Sequence, residues 1–545
     1  MASGILGTAV SGLIAVQRQL ATTGHNISNV NTEGFSRQRV LFSSRGGQGT
    51  GAGFIGQGVD AVRTERIYDQ FLVAQVRSST SAFSELDTFR SLAVQVDNFI
   101  ADPNLNLSSS LQAFFGAVHE VADDPSSIPA RQVLLAHANT LADQFVTVDN
   151  RLDNLSSQVN RNIESSVSEI NSIAESIARI NEDIVIASGQ SGGSAPNDLL
   201  DQRDHLLTQL SEYVDVTAVE QDDGSLSVFI GNGQPLVLGI NSAALATQRS
   251  DLDPERLDIL YTANSSSVVI TQNLSGGELS GSLKFAEEIL GPTRKGLGRV
   301  ALGLTADFND IHGNGFDLDG NTQQLFFDPP QVTVIGNTSN TGTIAVSFDD
   351  VNQVSLSDYS LTFDGTNYSL IRLSDNVEVY NDSVSNFTID GFAVDAVAAV
   401  SGDSFLIRPT HNIAGEISVA ISDTNQIAAS QSNTITGSVG DNRNALALAA
   451  LETNQNLLNG TATFQEAYGK AVANVGTLTR AADINSQAQE GLLIQAQQAQ
   501  QAVSGVNLDE EAANLVRFQQ AYQASAQLVS VANEIFDSLL NATRR

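Results

Sequence analysis

Residues 148–184, VDNRLDNLSSQVNRNIESSVSEINSIAESIARINEDI, carry apolar side chains at intervals of three and four residues. The apolar positions in this stretch are Val148, Leu152, Leu155, Val159, Ile163, Val167, Ile170, Ile173, Ile177, Ile180 and Ile184. Such spacing gathers them on one face of a helix, as in coiled coils. The periodic run extends from about residue 130 to 187. At roughly 1.5 Å per residue it predicts a helix longer than about 80 Å, and therefore a rod-like helical bundle.

Helical patterns flank this long run on both sides. Asp102-Pro103 and Asp124-Pro125 end two earlier segments, because proline cannot continue a helix. After the break SGQSGGSAP at 188–196, Asn197 is expected to cap a partner helix. The predicted helices are 67–100, 108–121, 130–187, 197–210, 284–311 and 444–458, with helix continuing in pieces to residue 545.

The period of the apolar residues changes to two in the middle of the chain, as it does in strands. Strands are predicted at 226–230 and 235–238 between Gly and Asn turns. A second block, 331–425, is rich in Val, Thr, Ser, Asp and Gly and contains Asp-Gly, Asp-Asn and Gly-Asp turns. Its predicted strands are 343–348, 359–363, 368–373 and 405–407.

The predicted fold class is multidomain α+β, in which an N- and C-terminal α-helical coiled-coil-like bundle encloses inserted all-β domains. This nesting requires residues near 1–200 and 440–545 to lie side by side. A chain of 545 residues is too long for one core. The predicted domains are terminal docking helices 1–40 with 500–545, a long-helix rod domain 41–215 with 284–325 and 440–499, a β-rich insertion 216–283 and an outer all-β insertion 331–425.

Charge and composition exclude several classes of protein. With 61 acidic and 27 basic residues the formal charge is −34, which disfavours binding to nucleic acid or to anionic lipid. The chain has no cysteine, so disulfides and thiolate metal sites are excluded. No run approaches the roughly 18–20 apolar residues of a membrane span, and membrane insertion is not expected. The N-terminus lacks a basic n-region, so export is expected to proceed without a cleaved signal peptide.

Motifs that would indicate chemistry fail in their context. Gly51-Ala-Gly53-Phe-Ile-Gly56 matches the dinucleotide fingerprint in letters, but it lies in a glycine-rich stretch and is interpreted as a linker or hairpin. Asp317-Leu-Asp319-Gly-Asn321 resembles an EF-hand start, yet the required glycine is absent, and an Asx turn is predicted. The six histidines have no metal-ligand spacing. We therefore predict no enzymatic activity, no cofactor and no metal.

Both ends of the chain carry a narrow apolar stripe. At the N-terminus the stripe is Leu6, Ala9, Leu13, Val16 and Leu20, and at the C-terminus it is Leu515, Phe518, Tyr522, Ser525, Val529, Ala532, Phe536 and Leu539. The two helices could pair with each other or with neighbouring copies of the chain. Periodicity alone leaves open a second interpretation, that both are ordinary core helices of a bundle.

Residues 24–35, GHNISNVNTEGF, contain Asn26, Ile27, Asn29, Asn31, Thr32, Gly34 and Phe35 in a pattern close to N-I-x-N-x-N-T-x-G-[FY]. This segment resembles the N-terminal motif of the flagellar rod, hook and hook-associated protein family. Asn and Gly suit a helix end followed by a turn, because both tolerate a left-handed backbone. Residues 506–540 resemble the C-terminal segment of the same family. There Asn507 and Asp509 are expected to begin a helix whose first turn carries Glu510 and Glu511.

Internal stretches resemble the branch of this family found at the hook–filament junction. They are PNDLLDQRD at 196–204, FDLDGN at 316–321 and GDNRN at 440–444. The resemblance implies a structural flagellar component outside the cell, exported by the flagellar type III system with an export chaperone. It also implies self-association in a ring, with hook subunits on one side and a second hook-associated protein or filament on the other.

The resemblance and the two stripes together predict an assembly interface at the ends of the chain. Its residues are Leu6, Leu13, Leu20, Asn26, Asn29, Asn31, Thr32, Gly34, Phe35, Leu515, Phe518, Tyr522, Val529, Phe536 and Leu539. Two alternatives remain at this stage. The chain could be another axial subunit (hook, rod or flagellin-like), or a surface adhesin that binds through its β insertions.

Overall fold

The computed structural model describes residues 2–50, 53–102, 106–190, 196–263, 266–433, 435 and 438–543. The side chains of residues 2, 3, 50, 539, 541 and 543 lie outside this description. Helix dominates both ends of the chain, as predicted. The helices are α1 (Ala2–Ser28), α2 (Gln70–Ile100), α3 (Leu107–Asp123), α4 (Ile128–Gln190), α5 (Asn197–Tyr213), α6 (Gly277–Phe285), α7 (Gly291–Asn314), α8 (Ile413–Glu416), α9 (Arg443–Ala450), α10 (Phe464–Ser504) and α11 (Leu508–Thr543).

The strands form small antiparallel sheets between the helices. In chain order they are β1 (Gln38–Ser44), β2 (Gln48–Thr50), β3 (Gly53–Ile55), β4 (Val59–Arg66), β5 (Val216–Glu220), β6 (Leu226–Ile230), β7 (Gln234–Leu238), β8 (Asn241–Ser242), β9 (Ala244–Arg249), β10 (Leu257–Ala263), β11 (Ser266–Val269), β12 (Thr333–Gly336), β13 (Ala345–Phe348), β14 (Tyr359–Phe363), β15 (Tyr368–Arg372), β16 (Val377–Asp382), β17 (Asn386–Ile389), β18 (Phe392–Asp395) and β19 (Ser404–Arg408).

These strands pair within three separate regions of the chain. Near the N-terminus β1 pairs with β4 and β2 with β3, which makes one long hairpin. The first insertion has the sheets β5-β6-β7-β8 and β11-β10-β9. The outer insertion has the sheets β12-β19-β14-β15-β16 and β13-β18-β17, which enclose a core of their own. The predicted α+β class with inserted β domains is confirmed.

The long helix organises the main hydrophobic core. α4 has 63 residues, so at about 1.5 Å per residue it is roughly 95 Å long. The side chains of its predicted stripe are buried, among them Leu152, Ile163 and Ile177. At one end of this core, aromatic rings from α3, α7 and the segment after α7 pack together, namely Phe114, Phe308, Phe326 and Phe327. The continuous core starts at Phe89 and ends at Ala482, so it includes neither α1 nor α11.

Three predicted helix ends are wrong. Asn197 does not cap α5 but is its first residue, and its side chain bonds elsewhere. α6 begins at Gly277, where a positive φ lets the chain turn closely against α5. α9 ends at Ala450 and does not reach residue 458, since residues 451–453 already form a turn and Leu458 and Asn459 adopt positive φ.

The predicted division into domains stays a prediction, and the packing differs from it in three places. Residues 41–66, assigned to the rod domain, form the hairpin that packs on α1. α6 lies inside the predicted β insertion 216–283, yet it packs against α2. Residues 413–421, assigned to the outer insertion, place Ile413, Ile417 and Ile421 in the main core.

Charged side chains connect the outer insertion to the helical domain. Arg408, the last residue of β19, donates from Nη1 to Glu255 Oε2 at 3.3 Å, and His411 Nε2 lies 2.7 Å from the same oxygen. Lys295 Nζ on α7 contacts Asp358 Oδ2 at 2.9 Å. The hydrogen bond from His411, with the nearby arginines, lowers the pKa of Glu255 to about 2. These contacts join the two β insertions to α7 at a single junction.

His312, in the last turn of α7, gives the core a pH dependence. The ring is fully buried, and its Nδ1–H donates to the Gln324 carbonyl at 2.8 Å while Nε2 accepts from the Ala428 N–H at 3.0 Å. Because burial opposes the charged form, the pKa of His312 falls to about 4, against about 6.5 when unfolded. The contribution of the neutral His312 ring to the free energy of unfolding is therefore complete above pH 6.5. It falls by about 1.4 kcal/mol per pH unit below that value and is lost as the pH falls through 4.

We expect the unfolding midpoint of His312→Gln to fall less than that of the wild type between pH 6.5 and pH 4. A glutamine amide can serve the same donor and acceptor without titrating. The measurement is thermal unfolding by circular dichroism at half-unit pH steps, with His119→Gln, an exposed histidine, as the control. If the unfolding midpoint fell equally with pH in all three proteins, His312 would not be the source of the pH dependence.

Candidate functional site

The two ends of the chain lie against each other as antiparallel helices. The Cβ that alanine would add at Gly12 of α1 lies 3.5 Å from Ser525 Oγ of α11. Arg37, nine residues after α1, donates to Glu510 and Glu511 in the first turn of α11 at 2.7 Å each. We call α1, the β1–β4 hairpin and α11 the terminal module. The alternative in which both helices belong to the main core is wrong, because that core contains neither.

The side chains that are nearly fully buried inside the terminal module are small or polar. The residues that are nearly fully buried there include Ala9, Ala15 and Ala532, together with Ser11, Thr23, Asn26 and Glu511. The predicted stripe residues Leu6, Leu13, Leu20, Leu515, Phe518 and Val529 are only half-buried. Since the hydrophobic gain scales with the apolar area removed from water, this pairing is weakly stabilised.

Large apolar side chains of the terminal module face outward. Tyr522 and Phe536, predicted in the stripe, are 38% and 54% exposed, and the side chain of Leu539 lies outside the described part. A further set, which the stripe analysis missed, is also exposed: Ile5, Val10 and Ile14 on α1, and Val516, Leu528, Val531, Ile535 and Leu540 on α11. Exposed apolar side chains in this number are more than a single soluble chain needs, and they favour a contact with another molecule.

The asparagine-rich motif builds the turn that follows α1. Asn26 is 1% exposed, and its amide forms two hydrogen bonds of 2.9 Å with the backbone N–H and carbonyl of Gln38. Asn29 donates to the His25 carbonyl at 3.0 Å and accepts from the Thr32 hydroxyl at 3.1 Å. The two bonds of Asn26 join the last turn of α1 to the first residue of β1. Asn31 is exposed on the outside of the turn.

Gly34 and Phe35 bring the turn onto α5. Gly34 has φ of +78°, and a Cβ there would lie 2.8 Å from the Cβ of His205, so both the backbone and the available space require glycine. Phe35 packs edge-on against the ring of His25, with the ring centroids 5.4 Å apart. The turn is therefore held at a fixed position against the helical domain.

Acidic residues of α5 hold this turn and the hairpin. Asp201, almost fully buried, accepts from the Ser36 N–H at 2.9 Å and from Arg66 Nη1 at 3.1 Å. Asp204 accepts from the same Arg66 atom at 2.6 Å. Asp198 accepts from Gln38 Nε2 at 2.8 Å. Burial raises the pKa of Asp201, although its bonds to Ser36 and Arg66 act in the opposite direction.

We call the contacts of α5 with the turn and the hairpin the latch, and several of its residues were not predicted from the motif. Arg37, Gln38 and Arg66 follow the recognised motif, and none belongs to an apolar stripe. Asn197, predicted as a cap, instead donates from its side chain to the Thr64 carbonyl of the hairpin at 3.1 Å. The spacing of Asp198, Asp201 and Asp204 could have indicated these contacts, because it puts three carboxylates along one side of a helix.

The remaining sequence motifs show structural roles. Asp317 Oδ1 accepts from the N–H groups of Asp319 and Asn321, which confirms the predicted Asx turn. Among the described residues, no group of three or more His, Asp or Glu is arranged to hold a metal ion. Nor does the described part contain a helix long and apolar enough to cross a membrane.

Comparison with known proteins supports the same two ends and the domain between them. Family models match as "Flagella basal body rod protein" at residues 6–35 and "Flagellar basal body rod FlgEFG protein C-terminal" at 493–542. The middle matches "Flagellar hook-associated protein FlgK helical domain" at 93–327 and "Flagellar hook-associated protein 1, D2-like domain" at 333–409. The chain is 36% identical to flagellar hook-associated protein 1 of Salmonella typhimurium, over 99% of this chain and 100% of that protein. It belongs to the flagellar hook-associated protein 1 family.

Two further relatives support membership of the hook-associated protein 1 family along the whole chain. Flagellar hook-associated protein 1 of Escherichia coli K12 is 34% identical, over 99% of this chain and 100% of its own length. The solved flagellar hook junction protein FlgK from Burkholderia pseudomallei has a TM-score of 0.72 and 27% identity, and covers 79% of this chain and 100% of its own. The chain is thus a structural part of the flagellum, and the asparagine motif and α11 lie within matched segments.

Proposed function

We propose that this chain is the adaptor between the flagellar hook and the filament, and that copies of it associate in a ring through their terminal modules. Hook subunits would lie on one side of the ring, with a second hook-associated protein or the filament on the other. The chain has no catalytic part in this role. The observation that carries the proposal is the row of apolar side chains facing outward from α1 and α11.

The outward apolar side chains of α1 and α11 remain partly in contact with water in the single chain. Ile14, Leu528, Val531 and Ile535 are between 40% and 53% exposed, so each would gain about 1 kcal/mol from burial of the part that is still in water. The pairing of α1 with α11 leaves them in water because it uses alanine, serine and asparagine. A neighbouring subunit supplies the missing apolar surface. The latch from α5 fixes the direction in which the terminal module presents it.

Export fits the same arrangement. We infer that the chain leaves the cell by the flagellar type III route, without a cleaved signal peptide and with a chaperone that covers the outward apolar side chains before assembly. Because the nearly fully buried side chains of the terminal module are small or polar, the hydrophobic part of the cost of opening it is small.

Localisation on intact flagella tests the proposal. Cells producing the chain with an epitope inserted after the exposed Thr366, in the turn between β14 and β15, would be labelled with antibody and viewed by electron microscopy. We expect a narrow band at the filament end of the hook, with cells lacking the epitope as the control. Label along the whole filament would indicate a different axial subunit, and label on the cell body would indicate an adhesin.

A further inference from the structure

Positive charge is concentrated in the first 66 residues of this acidic chain. Residues 1–66 contain six arginines and three carboxylates, whereas the other 479 residues contain 21 basic and 58 acidic residues. Four of the six arginines are exposed, namely Arg18, Arg39, Arg45 and Arg63. Arg45 pairs with Asp60, and Arg39 and Arg63 both pair with Glu65. Arg18 donates to a backbone carbonyl, that of Ala61. A surface with excess positive charge therefore lies on a molecule that is otherwise strongly negative.

The segment that carries most of this charge is the hairpin of residues 38–66, which we call the hairpin arm. It runs along α1 towards the start of that helix. Arg18 donates to the Ala61 carbonyl at 2.8 Å, the Val59 N–H donates to Ser11 Oγ at 3.2 Å, and a Cβ on Gly58 would contact Thr8 and Ser11. Residues 58–61, which follow the end of the hairpin arm, thus lie beside residues 8–18 of α1.

The end of the hairpin arm exposes large apolar side chains. Phe54 is 85% exposed and Ile55 is 55% exposed, in the glycine-rich stretch whose letters match a dinucleotide fingerprint. Val62 on β4 is 59% exposed. Glycines surround Phe54 and Ile55 on both sides, so no neighbouring side chain in the sequence covers them. An apolar tip flanked by arginines has the composition of a contact surface with a hydrophobic centre and a charged rim.

A complementary surface lies at the same level on α11. Because Gly12 faces Ser525 and the two helices are antiparallel, the first third of α1 lies beside the half of α11 that follows Ser525. That half exposes Leu528, Val531 and Ile535 at spacings of three and four. It also exposes Glu534 and Asp537, and residues 518–543 contain no Lys or Arg. Glu534 lies at the edge of this apolar face, so the surface combines an apolar centre with a negative charge, opposite in sign to the excess charge of the hairpin arm.

We propose that the hairpin arm of one copy packs on the outer face of α11 in a second copy, with Phe54 and Ile55 against Leu528, Val531 and Ile535. The proposal rests on the self-association proposed above and names the two surfaces that form it. Because the two surfaces differ, the contact is heterologous, and each copy offers one surface to each neighbour. Repetition of such a contact closes a ring or continues a helix.

Disulfide trapping tests the contact, since the chain has no cysteine of its own. The full chain carrying Ile55→Cys and Val531→Cys would replace the wild type in flagellated cells, and isolated flagella would be oxidised and run on a non-reducing gel. We expect a ladder of dimers, trimers and higher species, because every copy is linked to both neighbours. The matched control is Val269→Cys with Val531→Cys, since Val269 is 53% exposed and lies in the first insertion. The control is expected to remain monomeric.

The outcomes separate this contact from the proposed function. Monomers alone from the Ile55→Cys, Val531→Cys protein, found in flagella, would overturn the contact while leaving self-association intact. A product that stops at the dimer would also overturn it, because it indicates a symmetric pair rather than a repeating contact. Absence of the wild-type chain from flagella would instead overturn the proposed function.

Discussion

Deletion of residues 506–545 is expected to abolish incorporation into flagella while leaving the helical domain and both β insertions folded. The main core ends at Ala482 and the outer insertion has its own core, so neither loses a member. The deletion removes every outward apolar side chain of α11 and the partners of Arg37. Deletion of residues 1–40 is expected to have the same effect, since it removes α1 and the turn.

The measurements are the amount of chain in purified flagella and the thermal unfolding midpoint of the purified protein. We expect at least a tenfold loss from flagella and a midpoint within a few degrees of the wild type. A finer pair of variants is Leu528→Asp and Gln527→Asp, which place the same carboxylate on neighbouring exposed positions of α11. Only the first removes an outward apolar side chain. A truncated chain that still enters flagella would contradict the role of the terminal module.

Replacement of Asp201 by alanine is expected to release the asparagine-rich turn from α5. The mutation leaves the Ser36 N–H without its partner, and Arg66 keeps only Asp204. Removing one member of a buried ion pair costs about 3–5 kcal/mol, and the remaining bond to Asp204 lowers that to about 2–3 kcal/mol here. The cost falls on the latch, so the main core should keep its unfolding midpoint.

Hydrogen exchange of the Ser36 and Gln38 amides reports this release. An opening energy lower by about 2–3 kcal/mol corresponds to exchange about 30–150 times faster. Asp198→Ala is the matched control on the same helix, because the Asp198 side chain is 63% exposed and an exposed pair contributes less than about 1 kcal/mol. Equal exchange in the two variants would show that Asp201 does not hold the turn.

The sequence predicted well what depends on local periodicity and local turns. The spacing of Val148 to Ile184 predicts α4 closely, because one apolar face and the absence of proline over that stretch leave few alternatives. Asn507 lies directly before α11, and its Oδ1 accepts from the N–H groups of Asp509 and Glu510. Its position before Glu510 and Glu511 predicted this start of the helix. The motif at residues 26–35 predicted the turn, because Asn29 and Gly34 act on the backbone within a few residues: Asn29 bonds to the His25 carbonyl and Gly34 adopts a positive φ. The same motif indicated the family.

Only the tertiary structure decided how these pieces are connected. Ser36 meets Asp201 across 165 positions of sequence, and Arg37 meets Glu511 across 474. Such pairs cannot be predicted from periodicity, because each partner is a single polar residue. The residues next to it in the sequence do not indicate which distant residue it contacts. The helical stripes were similarly ambiguous: a stripe tells which face of α11 is apolar, but not how much of it α1 covers. The sequence by itself therefore determined the helices, the β insertions and the end motifs. Which apolar side chains stay outside was decided by packing, because that depends on the small residues through which α1 and α11 approach each other.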